Sequence, residues 1–233
     1  MNIEDIRASN YVVAAICGCW YQESTVNPGV WETQIVCPWD HMHSNNPPAG
    51  GFGFGQWTNT GSGYAMRCLN LHNWVTSHGY TDGDGAGQIA YFVVENMGSG
   101  ETGFWLNHPV QRGSYRTLQE FLSTESTDIE TLVWDFLASW EGVPGDKYNI
   151  RVDSAKRYLE YINAHAGDNP ADYATAISRN DYLSDAETLH NVMFVYFALN
   201  GYLTSGIDTR ALLMLTIAAK RRRRNLGRSK LIL

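Results

Sequence analysis

The stretch that most limits what this chain can become is Gly51-Phe52-Gly53-Phe54-Gly55-Gln56-Trp57. Glycine at every second position removes any helical preference, and the aromatics between them keep the period of two of a strand. It follows Asn45-Asn46-Pro47-Pro48, a strong turn signal, so residues 30–57 read as a long loop leading into an irregular hairpin. Most of the surrounding chain has helical period instead. Residues 10–23 read as a buried helix, capped by Ser9 or Asn10 and ended by Asn27-Pro28-Gly29. Tyr64, Cys68, Leu71 and Val75 share one face of a helix expected over 64–78. Further helices are expected near 86–97, 115–123, 128–140 and 151–164, with a turn at 82–87. This is an α+β pattern, mostly helical, with one small β element.

The 233 residues, 44% hydrophobic and 18% charged, can bury a sizeable core, which excludes a disordered chain. No uninterrupted apolar run is long enough for an ordinary spanning helix. The polar, acidic start MNIEDIRASN does not read as a secretory signal. Charge is unevenly placed: seven of the 17 Lys and Arg fall in the last 14 residues, from Lys220 onward. An acidic body with a basic tail lacks the basic face of a nucleic-acid-binding fold, so nucleic acid is an unlikely partner. Cys17, Cys19, Cys37 and Cys68 are expected reduced and packed. A zinc site from Cys17, Cys19, Cys37, His41 and His43 fits no common structural spacing. Asp82-Gly83-Asp84 fails as a calcium loop, because Ala86 and Val93 would fall on ligand positions. The glycines at 51, 53 and 55 are no phosphate loop, since Gln56 interrupts the pattern.

One carboxylate stands out. Glu23 ends the first helix, with Ile16, Cys19 and Trp20 on its own face. An apolar face of that kind desolvates a carboxyl and raises its pKa, as a general acid acting on a glycosidic oxygen requires.

The order Glu23-Ser24, Asn27-Pro28, then Gly51-Phe52-Gly53-Phe54-Gly55-Gln56-Trp57 resembles the lysozyme-like superfamily, and more narrowly the phage tail lysozyme family. The likeness continues through Gln88, Tyr91 and Glu95, and through Phe136 to Glu141 with Arg151, Ala155 and Tyr158, covering about residues 10–164. Thr58 is followed by Asn59 where the family often has Gly-Arg; the nearest arginine is Arg67.

The resemblance implies a lysozyme-like fold over residues 1–165, with Glu23 as catalytic acid. It also implies that Gln56, Trp57, Gly53, Gly55 and Ser24 lie at the substrate groove. Trp74 and Trp105 are weaker candidates for stacking on sugars. The second carboxylate stays open: Asp40 or Glu32, or the substrate's own acetamido group. The implied activity is cleavage of the β-1,4 bond between N-acetylmuramic acid and N-acetylglucosamine, by hydrolysis or transglycosylation, with no metal or organic cofactor. The implied setting is a phage tail: a virion protein made in the host cytoplasm that acts on the host wall. A non-catalytic glycan-binding tail protein and a free endolysin are the alternatives. Residues 166–233 form an expected C-terminal helical appendage, with apolar segments at 188–203 and 210–219. It could dock on the core, on other tail proteins or, through the basic run, on a membrane surface.

Overall fold

The computed structural model describes residues 7–31, 51–59, 66–96, 105 and 114–201. Glu32, Cys37, Asp40, His41, His43 and the segment 210–219 lie outside the described residues.

Helix α1, Asn10–Ser24, is the axis of the molecule. Every residue from Val12 to Trp20 is buried, as expected for a helix that is apolar all round. Ser9 caps it by accepting from the Val12 amide. It ends two residues before Asn27-Pro28-Gly29: Thr25 adopts a left-handed backbone (φ 56°) and its amide closes onto Tyr21 O. A two-stranded antiparallel hairpin follows, β1 (Gly51–Phe52) and β2 (Trp57–Thr58), with Phe52 opposite Trp57. Trp31 bridges to Phe52 and extends this small sheet.

Helices α2 (Arg67–Ser77) and α3 (Gly85–Asn96) come next. The Asp84 carboxylate accepts from the Ala86 and Gly87 amides and so caps α3, while Asp82 pairs with His72. Helix α4 is shorter than the expected 115–123, covering Leu118–Leu122, because Thr117 caps it late. Helix α5, Ile129–Phe136, passes into a π-helical turn, Leu137–Glu141, closed by Gly142. Such turns widen the ladder by one residue and are frequent at functional sites. Helix α6, Tyr148–His165, packs along α1. A 3-10 turn, Pro170–Tyr173, leads to α7, Asp185–Leu199, whose start is fixed by a Ser184–Glu187 capping box.

Aromatics fill the centre. Trp20 stacks on Phe54 at 5.4 Å and meets Phe92, Phe136 and Trp140 edge-on. Trp57 meets Trp140 edge-on at 5.5 Å, the offset and perpendicular arrangements that aromatic quadrupoles favour. Phe194 of α7 joins this cluster through Phe54, so α7 shares one hydrophobic core with α1. Cys17, Cys19 and Cys68 are buried and form no disulfide. Burial pushes the Cys17 and Cys19 thiols well up. Among the described residues no helix is long and apolar enough to cross a membrane.

Candidate active site

Arg151 organises the site. It follows Lys147 by one turn on α6 and shares a stripe with Ala155, Tyr158 and Ile162, all buried. Its side chain is 1% exposed. It donates to Cys19 O (2.7 Å), to Asp146 O (3.1 Å), to an Asp146 carboxylate oxygen (3.2 Å) and to Glu23 Oε1. Burial alone would lower the guanidinium; the carboxylates of Glu141 and Glu23 outweigh it and raise it. Charged hydrogen bonds of this kind, in a desolvated setting, hold a carboxylate in one orientation.

Glu23 is therefore less enclosed than its apolar helix face implies. Its side chain is 25% exposed and ion-paired to Arg151. The carboxyl that burial perturbs is Glu141, at the end of the π turn. Its Oε1 is sealed from solvent and has no hydrogen-bond partner among the described residues. Burial, reinforced by the charge of Glu23, pushes Glu141 up to about 8 against the pull of Arg151 and Arg67. Glu23, partly open to solvent, and the buried Glu141 carboxyl thus act on the same guanidinium.

The hairpin is tied to the residue after Glu23. Ser24, wholly buried, donates to Phe54 O (2.7 Å) and Trp20 O (3.1 Å) and ties the helix end to the glycine-rich turn. Gly53 has φ 80°, and a Cβ there would meet the Gln88 amide at 2.4 Å. That amide is needed where it is: Gln88 accepts from Phe54 N (3.0 Å) and donates to Pro28 O and Asp82 O (both 2.7 Å). A Cβ on Gly55 would lie 2.0 Å from Trp140 Cη2. The close approach at both glycines is made from inside, by protein.

Gln56 and Trp57 also face inward. Gln56 is 8% exposed and its Nε2 donates to Gly53 O (2.9 Å) and Val30 O (3.2 Å). Trp57 has no exposed surface. Its Nε1 donates to Glu95 (3.0 Å), which also holds Arg67 through two contacts of 2.9 and 3.1 Å. Arg67 lies 4.5 Å over the Trp140 ring. Trp74 stacks on His78, and buried Trp105 donates to Tyr115 O.

Arg151 and Glu141 belong to the site although the sequence reading marked neither as a functional residue. Arg151 carries a usable signal, a single arginine on an otherwise apolar stripe of its helix. Glu141 carries a weaker one, the acid that ends a buried run. Among the described residues no group of His, Cys, Asp and Glu is arranged to hold a metal.

The buried helix that carries Glu23, the helix that brings Arg151 to it and the glycine-aromatic hairpin tied to Ser24 belong to one mostly helical α+β unit. The model of the phage tail lysozyme family matches residues 3–162, and the chain belongs to that family. Its role is accordingly phage-associated and muralytic. No curated protein matches the chain.

Proposed function

We propose that this protein is a phage tail glycosidase that cuts the β-1,4 bond between N-acetylmuramic acid and N-acetylglucosamine. The observation that carries this reading is the group Glu23, Arg151 and Glu141: an accessible carboxyl group held by a buried guanidinium that also feels the buried Glu141. In this scheme Glu23 enters the reaction as the carboxylic acid, and its own proton passes to the leaving glycosidic oxygen as the C1–O bond breaks, leaving the Glu23 carboxylate. The positive charge at C1 is met by the substrate's acetamido group or by Asp40. The Glu23 carboxylate then takes a proton from the attacking water, or from the muramic 6-hydroxyl in a transglycosylase. Glu141, neutral near pH 7, keeps one proton in the carboxyl pair.

Ser24, Gly53, Gly55, Gln56 and Trp57 would serve the substrate by shaping the wall of the groove from beneath. Residues 1–165 would supply the reacting groups. The rest, to residue 233, is assigned to support and to attachment, to other tail proteins or through its basic end to a membrane surface. The protein would act from the virion tail on the host wall.

Mass spectrometry of fragments released from purified peptidoglycan tests the reading, with wild type beside Glu23→Gln. Release of reducing muramic ends by wild type, lost about a hundredfold or more in the variant, is expected for a muramidase. Anhydro-muramic ends would assign a transglycosylase with the same acid. Undiminished release by the variant, or glycan binding without release by wild type, would overturn it.

A further inference from the structure

Two consecutive residues just after Glu23 have left-handed backbones: Thr25 and Val26, both at φ 56°. For a β-branched residue such as Val26 this conformation is a genuine outlier that persists only where surrounding structure imposes it. The structure that imposes it comes from far along the chain, beyond the family match that ends at residue 162. Thr188 Oγ1 donates to Thr25 O (3.2 Å), and the Leu183 amide donates to Thr25 Oγ1 (2.9 Å). Asn191 Nδ2 donates to Val26 O (2.7 Å) and to Ile177 O (2.8 Å), and its Oδ1 accepts from Ile177 N (2.8 Å). Asn27 answers from the other side: its Nδ2 donates to Arg179 O (3.0 Å) and Asp181 O (2.6 Å), and its Oδ1 accepts from Arg179 N (3.2 Å). Thr188, Asn191 and Asn27 are each 1% exposed or less. Every backbone group of the turn that these side chains reach is satisfied with no water between.

We infer that residues 177–191 are a clamp that sets the position of Glu23, with Asn191, Thr188 and Asn27 as its positioning residues. The inference rests on Glu23 being the working carboxylate. The clamp fixes where α1 stops and therefore which way its last turn presents Glu23 to Arg151. Hydrophobic docking of α7 alone would not require three buried polar side chains on one turn; apolar residues would serve docking without the need to satisfy each donor and acceptor.

The test uses the full chain. Asn191→Ala and the milder Thr188→Val remove clamp bonds. Val195→Ala opens a cavity in the same helix and leaves the clamp bonds in place. Turnover and KM are measured on soluble peptidoglycan fragments well below each variant's melting temperature. Carboxyl carbon NMR of labelled glutamate follows the Glu23 signal, assigned with Glu23→Gln. The clamp variants are expected to lose turnover by roughly ten- to a hundredfold with little change in KM and to move the Glu23 signal. Thr188→Ser restores both, and Val195→Ala changes neither. If Thr188→Val, and Asn191→Ala where it folds, leave turnover and the Glu23 signal as in wild type, the clamp is overturned and the segment only stabilises. If Glu23→Gln keeps wild-type release, the parent reading fails; the Glu23 signal then still decides whether the segment positions that side chain.

Discussion

Two acids and one arginine meet at the end of α1, and their electrostatics make a prediction about stability as well as chemistry. Burial raises Glu141 from an ordinary 4.5 to about 8. Between those values the folded chain keeps a proton that the unfolded chain has released. Stability is therefore full below the unfolded value and falls as pH rises through this window, by up to about 1.4 kcal/mol per pH unit. Glu141→Gln removes the titrating group. Its melting temperature should fall less between pH 5 and pH 8 than that of wild type; parallel curves would show that Glu141 is not the proton holder. The place of Glu23 near the end of the first helix could be read from local spacing; the role proposed for it came from the motif order. Its partners could not be read so fully. Glu141 owes its burial to a π turn, and Arg151 finds Cys19 O across 132 residues. Gln56 and Trp57 show the same limit. The motif implies a place beside a substrate groove, but whether they face solvent depends on Glu95 and Val30, which periodicity does not place.

At the scale of elements, the hairpin and the π turn are built for each other. Gly55 lies against the Trp140 ring with no room for a methyl group. Gly55→Ala should therefore push that ring into the Trp20–Phe92–Phe136 cluster and cost about 1–3 kcal/mol, as overpacking does. Urea unfolding measures this; a midpoint equal to wild type would mean that the hairpin shifts freely. The helices were largely legible: apolar period and cap agree in α1, and apolar period alone places α3 and α6. A boundary moved where a side chain intervened: Thr117 delays α4, whereas α1 ends at Ser24, one residue past the expected 10–23. The helix expected over 128–140 is present but changes to π geometry after Phe136, a change that apolar spacing does not announce.

At the scale of the whole molecule, the core does not stop where the family match stops. Phe194 reaches Phe54, and Asn191 reaches Val26. A chain cut after residue 165 should melt well below one cut after residue 201, with more exposed apolar surface by dye binding. Equal melting would show that α7 is dispensable to the core. The sequence signalled a change of character after His165, and the proposed division into 1–165 and 166–233 rests on it. Composition could not tell that Asn191, an interruption in an apolar run, is the residue that reaches back to α1.

The left-handed turn at Thr25-Val26 also has a consequence in time. Asn191, which bonds Val26 O, lies 165 residues downstream, so a ribosome must deliver that intervening stretch before this contact can form. Contacts of such separation form late, after local helices have already condensed. On the proposed reading, a nascent chain carries Glu23 long before it carries the residue that holds the turn beside it, and fragments released before Asn191 is made would hold Glu23 without its clamp.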